Sequence, residues 1–169
     1  MTNKRVFEVL LASLLVAPMA GALTWADDVE AGIALFREGK YAEAEARLKD
    51  AKGTEAEAYL AASFAKQKKY AEAEAPALAA LKEIPTHAIA VAALGESLVG
   101  QKKYDEAIEK LSAVLAKKDD LAYAYFWRGQ AYDKKHQAAR MVADYQAFIK
   151  LAPKAPETPI VQAVLASLR

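Results

Sequence analysis

Three stretches of this chain nearly repeat one another: GKYAEAEARLKDA at 39–51, KKYAEAEAPALAAL at 68–81 and KKYDEAIEKLSAVL at 102–115. Their tyrosines, Tyr41, Tyr70 and Tyr104, stand 29 and 34 residues apart. A further 34 leads to Ala138, inside YAYFWRGQAYDKKHQAARMVADYQAFIKLAP at 123–153, which follows the same plan with a different key residue. A unit this short cannot bury an apolar face alone, so the units must stack and bury one another.

Each unit reads as two amphipathic helices. In the third, Ile89, Leu94 and Leu98 recur at helical spacing, Gly100 to Lys103 make a turn, and Ala107, Ile108, Leu111, Val114 and Leu115 recur again. Small residues fall where two helices must approach: Gly32, Ala61, Gly95 and Gly129 in the first helices, Ala44, Ala73 and Ala107 in the second. Glycine inside a helix costs about 1 kcal/mol against alanine, so its recurrence has a packing reason. The chain is 54% apolar and 27% charged, a globular composition, and much of the apolar share is alanine. Stability must then come from many small repeated contacts rather than one large core.

The 34-residue period, the small residue in the first helix, the tyrosine opening the second, the alanine three residues on and the proline closing the unit resemble the tetratricopeptide repeat. The resemblance covers nearly all of 27–153. It implies an all-α, right-handed superhelical solenoid of about four helix pairs (27–53, 54–87, 88–121 and 122–153), with Pro85 and Pro153 stopping the second helices of units two and four. Unit one is five residues short: Gly53 is expected to close its second helix, and TEAE at 54–57 to open the next as a capping box. Unit four departs with Ala138 for tyrosine and Met141 for alanine. Pro76 lies about two turns into a helix, which should kink or start late. In 154–169, Thr158 suits an N-cap and Pro159 the first helical position. Ile160, Val161, Val164, Leu165 and Leu168 make an apolar stripe, so this helix reads as a terminal cap.

Residues 1–26 differ from the rest. Lys4 and Arg5 precede an uncharged apolar run from Val9 to Ala17, and small residues follow Pro18, the pattern of a secretory signal peptide. The run from Val9 to Leu23, about 15 residues, is short of the roughly 20 that span a bilayer. Cleavage is expected after Ala22 or Ala26, with Ala26 favoured because the helical pattern starts at once. The short leader and repeat style suit a bacterial chain, periplasmic or secreted, without an integral span once processed. Cysteine is absent, which excludes disulfides, thiolate metal sites and a lipidated cysteine. Losing Lys4, Arg5 and Glu8 from 23 basic and 22 acidic residues leaves 21 of each, a balance unlike that of a nucleic-acid binder.

No catalytic constellation converges, so no enzyme, cofactor or metal site is expected. His87 and His136 lack zinc-binding spacing and read as surface residues. GESLVG at 95–100 is one residue too long for a G-x-S-x-G elbow and lies on a helix. Glu43/Glu45 and Glu72/Glu74 are two apart and project about 200° from each other. Glu43 with Arg47, and Glu106 with Lys110, read as surface pairs. Lys40, Lys66, Lys68, Lys69, Lys102, Lys103, Lys134 and Lys135 gather near the turns within units; stacked, they make a basic edge, more simply explained by the helix dipole.

The resemblance also implies a protein or peptide partner held along one face of the first helices. That face maps to Val29, Ile33, Phe36 and Arg37; to Glu55, Ala58, Ala62 and Lys66; to Ile89, Ala92, Glu96 and Val99; and to Tyr123, Phe126, Gln130 and Asp133. The lysine, arginine and asparagine clamp with which some members grip a peptide carboxylate is not expected on these residues. The expected function is a protein-interaction scaffold of the cell envelope. The alternatives are a self-associating structural protein, or an anionic-surface binder acting through the lysine edge.

Overall fold

The computed structural model describes residues 20–168. Those residues form nine helices and no strand: α1 Ala20–Arg37, α2 Tyr41–Leu48, α3 Thr54–Lys66, α4 Tyr70–Glu83, α5 Ala88–Gly100, α6 Tyr104–Leu115, α7 Ala122–Lys134, α8 Ala138–Leu151 and α9 Thr158–Ala166. Consecutive helices pair, and each first helix packs on the first helix of the next unit, α1 on α3, α3 on α5 and α5 on α7. The result is an all-α repeat solenoid with the first helices lining one face. The leader expected at 1–26 lies mostly outside the described residues, and the expected mature start at Asp27 falls within α1.

The small residues sit where helices meet. A Cβ on Gly32 would lie 2.5 Å from Leu48 Cγ, and one on Gly129 2.7 Å from the Tyr145 ring, so both glycines let the two helices of a unit close. Ala44, Ala61, Ala73 and Ala107 are fully buried at the corresponding places. Gly95 serves a different contact: a Cβ there would meet Trp127 Cβ at 2.6 Å, across the joint between units three and four.

Each unit turns on one backbone device. The first helices end in a residue with positive φ, namely Gly39 (79°), Lys68 (62°), Lys102 (62°) and His136 (57°). Each is followed by an amide that reaches back five residues: Lys40 to Leu35, Lys69 to Phe64, Lys103 to Leu98 and Gln137 to Tyr132. This is the Schellman closure, which satisfies carbonyls the helix end leaves free. Only the first unit uses glycine for it. The left-handed conformation costs a side-chain-bearing residue about 1–2 kcal/mol, partly offset because glycine frees the unfolded chain. Lys68→Gly and Lys102→Gly are therefore expected to stabilise the protein by roughly 0.5–1 kcal/mol each, read as a rise in the thermal midpoint.

A second recurring device joins neighbouring units. The Gln67 amide donates to Tyr41 O (3.3 Å) and Glu45 Oε2 (2.7 Å), and Lys69 donates to the same carboxylate at 2.7 Å. One unit on, Gln101 donates to Tyr70 O (3.3 Å) and Glu74 Oε2 (3.0 Å), and Lys103 to Glu74 at 2.7 Å. The buried Ser97 hydroxyl adds a bond to Tyr70 O. At the third joint the carboxylate position is Ile108, and Arg128 takes over, bridging Ser112 of α6 and Asp144 of α8. Lys69 and Lys103 hold the Glu45 and Glu74 carboxyls below their ordinary 4.5, the glutamine amides adding to this against the opposing effect of burial. A carboxyl depressed in the native state binds fewer protons there than in the unfolded chain. The stability it contributes is complete above the ordinary value and is lost as pH falls through the lower native one. A denaturant midpoint that drops on acidification below about pH 4.5, less steeply in a Glu45→Gln, Glu74→Gln variant, is the expected result.

Several local expectations are corrected. Gly53 does not close α2, which ends at Leu48; with φ of 108° it stands at the N-cap of α3, and Thr54 is already helical with no side-chain cap. Helix α4 does not start late, running from Tyr70 through Pro76 to Glu83. Thr158 does not cap α9; its hydroxyl donates to Ala152 O at 2.7 Å and pins the linker instead. The apolar stripe of α9 is only half used: Val161 is buried and Val164 and Leu165 are partly covered, while Ile160 and Leu168 are exposed. Arg47 pairs with Asp28 at 3.0 Å rather than with Glu43, whereas Glu106 and Lys110 do pair, at 3.4 Å. His87 is not a surface residue. Its Nδ1 accepts from Ala90 N (3.4 Å), capping α5, which leaves the ring proton on Nε2, 3.0 Å from Glu55 Oε1.

Candidate functional site

The face lined by the first helices holds a cavity of about 420 Å³. Its walls come from α1 (Phe36), α3 (Ala62, Lys66), α5 (Ala88, Ile89, Ala92, Ala93, Glu96) and α7 (Tyr123, Trp127), with Glu157 entering from the segment before α9. Helical spacing makes this possible: Ala62 and Lys66, Ala92 and Glu96, Tyr123 and Trp127 are each one turn apart, so each pair faces the same way. Alanines form the floor and leave room that larger residues would fill. Aromatic rings and Ile89 form the walls.

Charge is concentrated at two points. Lys66 Nζ lies 2.7 Å from Glu96 Oε2, an ion pair tying α3 to α5 across the groove. At the α7 end the Tyr123 hydroxyl donates to Glu157 Oε2 at 2.9 Å. Burial above all, then the bond to Glu157 and the charges of Glu157 and Glu96, push the Tyr123 phenol up to about 12, so it stays a neutral donor. The Trp127 indole Nε1 is buried with no acceptor among the described residues.

Of the residues mapped from sequence, Phe36, Ala62, Lys66, Glu96 and Tyr123 are brought together here, with Ile89 and Ala92. Others lie elsewhere. Phe126 is buried between α7 and α8, its ring 5.0 Å from Phe148 and 4.8 Å from Trp127, and is a core residue. Val29 packs on the Ala44, Leu48 and Ala56 cluster, and Val99 on the central core. Ile33 and Gln130 are half-buried away from the cavity, Arg37 is exposed, and the exposed Asp133 pairs with Lys134 at 3.6 Å. Four lining residues were missed: Ala88 and Ala93, next to the mapped Ile89 and Ala92 on α5, and Trp127 and Glu157. Trp127 is one turn beyond Tyr123, a spacing visible in the sequence; Glu157 lies outside the repeats and carries no periodic signal.

The lysine edge is largely paired. Lys69, Lys103 and Lys135 meet Glu45, Glu74 and Asp105 of the preceding unit, Lys40 meets Glu38, and Lys134 meets Asp133. Glu45 and Glu74 thus face the joints, whereas Glu43 and Glu72 are exposed, so neither pair converges. Among the described residues no helix is long and apolar enough to cross a membrane.

Helix pairs of this length, closed by one turn and stacked first helix on first helix, define an α-helical repeat of the tetratricopeptide type. Solved structures share that fold. TTC0263, a thermophilic TPR protein of Thermus thermophilus, superposes with a TM-score of 0.70 at 18% identity over 85% of this chain and 80% of its own. MamA (41-end) from Desulfovibrio magneticus RS-1 gives 0.63 at 23% identity, covering 85% of this chain and 86% of its own. No protein-family model matches the sequence, and no curated protein matches it significantly.

Proposed function

We propose that this chain is a non-enzymatic scaffold of the bacterial cell envelope that holds a polypeptide partner in the groove of its first helices. The observation that supports this most is the cavity itself. Four helices from four units contribute to one apolar recess that no single unit contains, and its alanine floor admits bulky side chains from outside. An extended or helical segment lodging apolar side chains between units fits that shape. Ala92→Arg, which fills the recess from a half-exposed position, should abolish partner recovery by affinity capture. Lys68→Glu with Lys102→Glu, at two exposed turn residues, should leave it intact. The reverse result, with both variants folded, would move the site to the lysine edge. That alternative is disfavoured by the carboxylates already bound to most edge lysines.

Export rests on the charged start, apolar run and small residues of the leader. Cleavage after Ala26 would leave α1 with Asp27 to Arg37, retaining the Asp28 to Arg47 bond and the Gly32 contact with Leu48. The intact mass of the native protein decides it: a mass starting near Asp27 supports export, and a full-length cytoplasmic mass contradicts it.

A further inference from the structure

The charges lining the cavity do not balance. Lys66 neutralises Glu96 through the 2.7 Å pair. Glu157, the remaining charged lining residue, has no cationic partner within 4.0 Å among the described residues, and the Tyr123 hydroxyl that donates to it at 2.9 Å is neutral. The surplus negative charge therefore lies at the α7 end of an otherwise apolar recess, beside the Tyr123 and Trp127 rings. A carboxylate next to aromatic faces, partly shielded from water, is a setting that attracts a cation. Lysine and arginine bring to such a place both an apolar stem, able to lie along Tyr123, and a charged head.

Resting on the groove reading above, we propose that the partner is a polypeptide segment whose apolar side chains fill the cavity and whose lysine or arginine reaches Glu157 at its α7 end. The groove then selects for a basic apolar segment, the opposite sign from a clamp on a peptide carboxylate. The ion pair with Glu96 keeps Lys66 engaged, which leaves Glu157 as the uncompensated charge of the lining.

The test uses the full chain and three short synthetic helices of leucine and alanine that differ at one position, carrying lysine, acetyl-lysine or glutamate, with binding read by fluorescence anisotropy. The lysine peptide is expected to bind about tenfold more tightly than the acetyl-lysine peptide, with the glutamate peptide weakest, as one charge-assisted hydrogen bond implies. Glu157→Gln keeps an acceptor for Tyr123 and should remove most of the lysine advantage while leaving the acetyl-lysine peptide unchanged. Equal affinities for lysine and glutamate peptides, both abolished by Ala92→Arg, would overturn the charge preference and leave the groove standing. Failure of all three peptides to bind, or binding that Ala92→Arg does not touch, would overturn the groove reading and this inference with it.

Discussion

Replacing Asp144 with alanine is expected to destabilise the protein by about 3–5 kcal/mol, the usual cost of breaking a buried ion pair from one side. Asp144 is 4% exposed. It accepts two bonds from one guanidinium, Arg128 Nε to Oδ2 at 2.8 Å and Nη2 to Oδ1 at 2.7 Å, while Nη1 reaches Ser112 Oγ at 2.9 Å. Three helices from two units meet on that one cation, whose carbon also lies 5.6 Å from the Tyr125 ring and 5.9 Å from the Tyr132 ring. Alanine would leave the guanidinium half-buried with a single polar contact. This joint also lacks the glutamine, glutamate and lysine tie of the other two, and the Lys135 to Asp105 pair that crosses it as well is solvent-exposed at Asp105 and contributes little. Urea unfolding should show the loss as a lower midpoint at unchanged slope. A double change, Arg128→Met with Asp144→Leu, should recover much of it, because the penalty lies in the unpaired charge. A loss below about 1 kcal/mol for the single variant would place the pair among those that contribute little.

Deleting residues 154–169 is expected to have an effect of similar size. Val161 is buried in one cluster with Phe126, Tyr132, Met141, Tyr145 and Phe148, and Val164 and Leu165 are packed at the edge of that cluster. Each fully buried side chain of this kind contributes about 1.5–3 kcal/mol, so the helix is worth roughly 3–6 kcal/mol before the newly wetted face of α8 is counted. At about 2–4 °C per kcal/mol for a chain of this size, the thermal midpoint should fall by roughly 10 °C or more, with aggregation through the exposed aromatic cluster. Val161→Asp in the full chain should reproduce most of the loss without changing length. Unaltered melting of the truncated protein would mean that α9 is an appendage and that unit four closes itself.

The repeat made the fold legible. Period and small residues specified the helix pairs, because each signal recurs and two of the three joints reuse the same chemistry. What escaped were features that occur once. Thr158 has the composition of a cap, yet Pro159 and the linker place its hydroxyl on Ala152 O. TEAE at 54–57 has a capping-box pattern, yet the left-handed Gly53 takes the cap position and makes Thr54 helical. For the groove, alignment of the units located Phe36, Ala62, Lys66, Glu96 and Tyr123, all set by helical register. It placed Phe126 there too, but α8 presents Tyr145 and Phe148 to that ring, and the choice between neighbouring aromatics on one helix depends on what packs behind it. Glu157 belongs to a linker whose path only the tertiary structure gives. The lysines reading as a basic edge illustrate the same limit, since Lys69, Lys103 and Lys135 pair with carboxylates more than 20 residues away.

The central claim, that the groove of the first helices holds a polypeptide partner, is tested most directly by a photo-crosslinking residue placed at Ala92 in the chain expressed in its own cells. Parallel copies carry the label at Lys102 on the turn edge and at the exposed Lys117 in the connection after α6. Irradiation is expected to yield one discrete adduct with a distinct polypeptide from position 92, weakened by Glu157→Gln, and none from the other two. Adducts from Lys102 or Lys117 with none from Ala92 would contradict it.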